Sequence, residues 1–207
     1  MDKIDLTKQH KSYYTAKTQP HIVDVEPANF LSITGKGDPS SQNFADTIQA
    51  LYSTAYTIKF MYKSQNKDFV VAKLEGLWWF DTEKYKVTTM EEAPKLIPRS
   101  EWEYRLLIRM PDFVSDESVK LAKQQVVAKK NIALAKAVSL CLMNEGKCVQ
   151  MLHIGSFDSE PVSLQKINAF MVENGWERNG LHHEIYLSDF RKISPEKLRT
   201  ILREPVK

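Results

Sequence analysis

The sequence predicts an α+β protein in which a strand-helix-strand unit is used twice. Alternating segments bracket a helically spaced one in the first half, Phe30 to Gly37, Asn43 to about Tyr62 and Phe69 to Phe80. The order recurs in Cys148 to Gly155, Val162 to Gly175 and Leu181 to Leu187. Landmarks recur with it: Gly35 and Gly155, Asp38 and Asp158, and Tyr56 and Trp176 each lie 120 apart. Each half also carries one carboxylate inside an apolar or aromatic strand. These are Glu75 and Glu184, 109 apart because the second copy is shorter past its helix.

In chain order, residues 1 to 26 are polar, carry Tyr13 and Tyr14, and read as an arm leading into a short strand, Ile22-Val23-Asp24-Val25, between Pro20 and Pro27. Phe30 to Gly37 alternates as a strand. Asp38-Pro39-Ser40-Ser41 turns the chain with N-cap chemistry, and Phe44, Ile48, Leu51, Ala55, Ile58 and Tyr62 recur on one helical face. Strands are expected over Phe69 to Phe80 and Trp102 to Met110. Between them residues 81 to 100, charged and containing Pro94 and Pro98, suit an exposed connector or an inserted flap. Ser115 to about Asn144 reads as one long helix or two abutting ones, ended by Gly146 and linking the copies. Asp158-Ser159-Glu160-Pro161 is a turn before the second helix. Ser194-Pro195-Glu196-Lys197 opens a last short helix, with Ser as cap and Pro at the first helical position.

Composition sets modest bounds. The 207 residues can bury a substantial core, and 43% hydrophobic with 27% charged residues describe an ordinary soluble chain. The net charge of +3 comes from 29 basic and 26 acidic residues mixed throughout, which argues against a nucleic-acid partner. Lys120, Lys123, Lys129, Lys130 and Lys136 read as a solvated helix face. Cys141 and Cys148 lack zinc spacing and fit reduced thiols. Without a run of about eighteen uncharged residues or an apolar signal core at Met1-Asp2-Lys3-Ile4-Asp5, neither a membrane partner nor a leader is expected, and the location expected is cytoplasmic.

Strand alternation puts Glu75 on the side of Leu77 and Trp79, and Glu184 on the side of His182 and Tyr186. A charge facing rings is costly to bury unless something pairs with it, so both sites suit a ligand. The bland readings are a core or interface role for the tryptophans and a salt bridge for Glu184. His182 and His183 beside a carboxylate suggest metal, but neighbours in a strand face opposite ways, so no metal site is expected. Gly35-Lys36-Gly37-Asp38 lacks the full phosphate-loop spacing and reads as turn geometry, and no cofactor is implied.

Asn29-Phe30-Leu31-Ser32-Ile33-Thr34-Gly35-Lys36-Gly37-Asp38-Pro39, Lys73-Leu74-Glu75-Gly76-Leu77-Trp78-Trp79 and His182-His183-Glu184-Ile185-Tyr186-Leu187, in that order, resemble the GyrI-like (gyrase-inhibitor-like) small-molecule-binding family from about Asp5 onward. The resemblance implies one domain over 1–207, of two strand-helix-strand-strand (SHS2) modules, about 22–110 and 111–207. They would be related by a pseudo-twofold, with helices on an antiparallel sheet and a groove for flat aromatic molecules. With no helix-turn-helix candidate in residues 1 to 26, the chain resembles the stand-alone form, as a monomer or homodimer.

It is also similar to the cyclopropanoid cyclopropyl hydrolases of that family, which open DNA-alkylating natural products within an aromatic cage. On that resemblance Glu184 is the key carboxylate, with Tyr186 beside it. Glu75, Trp78 and Trp79 would complete the ligand-binding pocket, Trp102, Tyr104, Phe157 and Trp176 are further candidates by strand position or proximity to a turn, and His182 shares the strand face of Glu184. Whether Glu184 works as base or acid stays open, as do two other readings: a protein that binds or sequesters drugs without turnover, and, as the family's name suggests, an inhibitor of a macromolecule such as a topoisomerase.

Overall fold

The computed structural model describes residues 3–87 and 89–207. The strands are β1 (His21–Val25), β2 (Ala28–Lys36), β3 (Leu74–Trp79), β4 (Glu103–Arg109), β5 (Ser139–Met143), β6 (Gly146–Ile154), β7 (His182–Tyr186) and β8 (Arg199–Pro205). The helices are α1 (Leu6–Gln9), α2 (Gln42–Lys63), α3 (Thr82–Tyr85), α4 (Ala93–Leu96), α5 (Asp116–Lys130) and α6 (Glu160–Glu173). All eight strands form one antiparallel sheet in the order β1-β6-β8-β7-β3-β4-β2-β5. The module β2-α2-β3-β4 is answered by β6-α6-β7-β8, and the two meet where β3 pairs with β7.

The leading strands are exchanged. β1 precedes β2 in the chain but pairs with β6, while β5 precedes β6 but pairs with β2. Only Glu26 and Pro27 connect β1 to β2, and only Asn144 and Glu145 connect β5 to β6. Such links reach about 11 Å. Six strand spacings across a flat sheet would need about 29 Å. The sheet therefore curls into a half-barrel that brings its edges together.

The concave side holds Tyr13, Tyr14, Phe30, Leu77, Leu107, Leu152, Ile185 and Ile201, so the N-terminal arm fills the curl. On the convex side α2 and α5 cover the first module, around Leu31, Leu51, Ile58, Leu106 and Ile108. There α6 covers the second, around Val149, Met151, Ile167 and Leu202. The helix α2 starts where Ser41 Oγ accepts from the Phe44 amide at 3.3 Å, and it buries the expected Phe44, Ile48, Leu51, Ala55, Ile58 and Tyr62. No helix among the described residues is long and apolar enough to cross a membrane.

Two expectations change. The segment from Ser115 is not a long helix: a Ser115–Ser118 capping box opens α5, Asn131 at φ 55° ends it, and residues 139–143 pair with β2 instead. Lys120, Lys129, Lys130 and Lys136 are exposed. The expected last helix is a single 3₁₀ turn, Pro195–Lys197, leading into β8, a strand whose Arg203 and Glu204 are fully enclosed. Of the two readings of the connector, the inserted flap holds: residues 81–87 and 89–101 lie over a small core of Phe80, Val87, Ala93 and Ile97.

The repeat is also offset differently. Gly37 and Gly155, both at positive φ, close β2 and β6, and Gln42 and Glu160 start the two helices, a shift of 118 rather than 120. Past the helices, side chains keep their face only under an even shift. Gly76, which pairs with Glu184 across the central strands, matches it at 108, whereas Glu75 at 109 falls on the other face.

Gly35 stands opposite Tyr104, whose ring lies over it, and a Cβ there would come within 2.4 Å of the ring's Cζ and Oη. Tyr104 is fully enclosed and has nowhere to move. Gly35→Ala should destabilise the fold by about 1–3 kcal/mol, lowering the melting temperature by about 2–4 °C per kcal/mol in a thermal melt followed by circular dichroism. An unchanged melt would contradict this packing.

Candidate functional site

A cavity of about 400 Å³ opens on the convex side, between the two modules and beneath the flap. The first module supplies Phe44 from α2, Trp78 from β3, and Trp102 with Met90 and Pro94 from the flap. The second supplies Phe157, Tyr186, Phe190 and Leu198. The rings form two groups. Phe44 stacks on Trp78 at 5.8 Å, and Trp102 meets Trp78 edge-on at 6.1 Å. Opposite them Phe157, Tyr186 and Phe190 meet mutually edge-to-face at 5.9–6.1 Å. Arg99 of the flap reaches Asp158 at 2.9 Å across the rim, an exposed pair that contributes little stability.

A polar chain runs through the apolar wall. Alternation along β7 turns His182, Glu184 and Tyr186 to the cavity together. The Trp78 indole donates to Tyr186 Oη at 3.0 Å, so the phenol proton goes to Glu184 Oε2, at 2.7 Å. His182 Nε2 donates to Glu184 Oε1 at 3.3 Å, and its Nδ1 to Glu204 Oε1 at 2.9 Å. A ring between two carboxylates needs both protons. Burial alone would lower the His182 pKa, but Glu204 and Glu184 push it up to about 10. Burial and the charge of Glu184 raise the Tyr186 phenol well above its ordinary value, so it stays a donor. Arg178 lies 3.4 Å from the other oxygen of Glu204 and completes the charge balance.

The chain matches the family described as GyrI-like small molecule binding domain over residues 18–207. It belongs to the GyrI-like family. Among solved structures, this GyrI-like chain is similar to an uncharacterised conserved protein from Listeria innocua, at 38% identity and TM-score 0.88, covering 99% of this chain and 100% of that one. It is similar, too, to a Listeria innocua protein described as a hydrolase, at 37% identity and TM-score 0.87, with 100% of both chains covered. The EcmrR C-terminal domain, at 11% identity and TM-score 0.59 over 91% of this chain and 97% of that one, shares the fold. No curated protein matches.

In this GyrI-like chain Trp78, Trp102, Phe157, His182, Glu184 and Tyr186 come together on the cavity wall. Tyr104 is fully enclosed behind Trp78, 5.6 Å from it, and supports the wall without reaching the cavity. Trp176 is not at the site: it packs against the cluster under α6, with Lys147 5.6 Å from its ring. Glu75 and Trp79 point into the concave side because they alternate with Gly76 and Trp78.

There Glu75 accepts from Tyr13 Oη at 2.5 Å, Tyr14 Oη at 3.3 Å and His183 Nε2 at 3.0 Å. His183 Nδ1 donates to Glu145 Oε1 at 2.9 Å, and Arg203 Nη1 to Glu145 Oε2 at 3.2 Å. Two cations balance two carboxylates in a sealed network that needs no ligand. Among the described residues no group of three or more His, Cys, Asp or Glu side chains is arranged to hold a metal.

Sequence reasoning missed Phe44, Phe190, Glu204 and Glu160. Glu160 opens α6 and lines the cavity while only 7% exposed, and its Oε1 has no hydrogen-bond partner among the described residues. Burial first, then the charge of Glu184, raise its carboxyl well above the usual range. A Glu directly before a Pro at a helix start was the available signal.

Gly76 leaves the space that the Trp78–Tyr186 bond crosses: a Cβ there would lie 2.9 Å from Trp78 Nε1 and 3.0 Å from Tyr186 Oη. Gly76→Ala should part that pair and destabilise by about 1–3 kcal/mol, read from urea unfolding and an altered tryptophan emission. On the concave side, burial opposes the charge of Glu145, yet His183 and Arg203 draw its pKa from 4.5 down to about 2. The stability this brings is present above about pH 4.5 and is lost as pH falls toward about 2. Between those limits the wild type should lose on the order of 3 kcal/mol that Glu145→Gln does not, and parallel urea-unfolding curves would contradict the pairing.

Proposed function

We propose that this chain binds flat aromatic xenobiotics between its two groups of rings and hydrolyses those bearing an electrophilic cyclopropane, with Glu184 activating the water. The observation that carries this reading is the Glu184 carboxylate, both of whose oxygens accept hydrogen bonds, from His182 and Tyr186, on the wall of a ring-lined cavity. The Listeria innocua proteins described as hydrolases, at 37% identity, support a hydrolytic function.

A cyclopropane conjugated to a carbonyl opens when water attacks its CH₂ carbon. The C–C bond breaks, its electron pair moves to the carbonyl oxygen, and the ring system becomes aromatic. Stacking between Trp78, Trp102 and Phe157 holds the flat system in an aromatic cage and limits its approach to one direction. Because Glu184 only accepts from its neighbours, it is set to take the water proton as a base. His182 and Tyr186 hold its two oxygens in place, and Trp78 fixes Tyr186 in turn. The phenol of Tyr186 is a donor to Glu184 and does not act as a base.

A second reading, binding without turnover, is favoured by the family's description as a small-molecule-binding domain. The experiment is Glu184→Gln against a spirocyclopropane naphthalenone. Tryptophan quenching should show retained binding, and kcat should fall by about 10²–10⁴-fold. Turnover at the wild-type rate would remove Glu184 from catalysis, and quenching without turnover in the wild type would leave the binding reading.

A further inference from the structure

Among the described residues Glu160 has no cation to itself. His182 is taken by Glu184 at 3.3 Å and Glu204 at 2.9 Å, and Arg99 at the rim is taken by Asp158 at 2.9 Å. The start of α6 favours an acidic residue, but that effect is worth about 0.3–1 kcal/mol at a surface. A second uncompensated anion beside Glu184 costs considerably more in an enclosed site. Glu160 is therefore a neutral acid; its side chain lines the cavity, and its Oε1 is buried with no hydrogen-bond partner among the described residues. An unmet buried polar group costs about 1–3 kcal/mol, which a ligand acceptor would relieve.

The turn that carries Glu160 is tied down from below. His153 of β6 bonds Ser163 Oγ at 2.9 Å through Nδ1, and its Nε2 meets the Ser156 carbonyl at 3.1 Å and Ser159 Oγ at 3.2 Å. Both the approach to α6 and its first turn are thus fixed.

We propose that Glu160 donates its carboxyl proton to a carbonyl oxygen of the bound flat molecule, as a hydrogen bond on binding and as a transferred proton during ring opening. The binding half stands on the cavity alone, and the transfer half rests on the hydrolase reading above. The step balances. Water oxygen bonds to the CH₂ carbon, the cyclopropane C–C pair moves through the ring to the oxygen, and Glu160 protonates that oxygen to give a phenol. Glu184 takes the water proton, and solvent returns one proton from Glu184 to Glu160. The product is a phenol bearing a primary alcohol. The driving force is adequate, since a phenolate holds its proton with a pKa of about 10.

The charged groups acting on Glu160 are Glu184 and His182 on β7 and Asp158 at the rim; Arg99 is paired with Asp158, and His153 with the serines of the turn. With its proton held well above the usual carboxylate range, loss of that proton should give kcat an alkaline limb.

Two probes separate the halves. The first is a naphthalenone with a gem-dimethyl carbon in place of the spirocyclopropane, which cannot open. Its infrared carbonyl stretch should move to lower frequency on binding the wild type, keep most of that shift in Glu160→Gln and lose it in Glu160→Ala. A stretch unchanged from free ketone, or equally shifted in Glu160→Ala, overturns the proposal. The second is the spirocyclopropane naphthalenone. With it Glu160→Gln should lower kcat by about a hundredfold at similar KM and abolish the alkaline limb, and a limb retained in Glu160→Gln overturns the transfer step. If the infrared shift depends on Glu160 while not even the wild type turns over, the hydrolase reading fails and the donor stands.

Discussion

The register of β3 against β7 governs the rest of the molecule. This pairing joins the two modules at the middle of the sheet, and it sets Gly76 opposite Glu184 and Trp78 opposite His182. The absent side chain at Gly76 lets the indole of one module reach the phenol of the other, and that contact carries the hydrogen-bond chain to the carboxylate. A slip of one residue would send Glu75 to the cavity and Trp78 away from it.

Two adjacent histidines divide the charge of the sheet. His182 and His183 point to opposite faces, and each lies between two carboxylates: Glu184 and Glu204 on the convex side, Glu75 and Glu145 on the concave side. The concave set is shut in by Tyr13, Tyr14 and Arg203, and it fastens the arm to the sheet. The convex set is open at one edge to the cavity. Similar chemistry thus holds the structure on one face and is available to a ligand on the other.

Much of this was legible in the sequence. The helical spacing of Phe44 to Tyr62, the alternation around Trp78 and Tyr104, and the recurrence of strand, helix and strand placed both modules, and the Glu-Ile-Tyr strand placed the carboxylate beside its ring. Glu75 was not legible, because a carboxylate in an apolar strand reads alike whether a ligand or a distant Tyr13 and His183 satisfies it. The strand β8 was hidden by Arg203 and Glu204, which read as surface until their partners Glu145 and His182 are known. The strand β5 was hidden because its pairing with β2 spans more than a hundred residues, and helical propensity in the preceding stretch extends the wrong pattern.

The exchange of leading strands has a consequence for how the protein can be taken apart. A chain divided near Met110 leaves each fragment without the outer strand its partner would supply, with a bare hydrogen-bonding edge at β2 or β6. Neither fragment keeps all of its strand pairing. Two copies of one half could satisfy those bare edges by trading their leading strands, which is the geometry of a symmetric, strand-exchanged dimer.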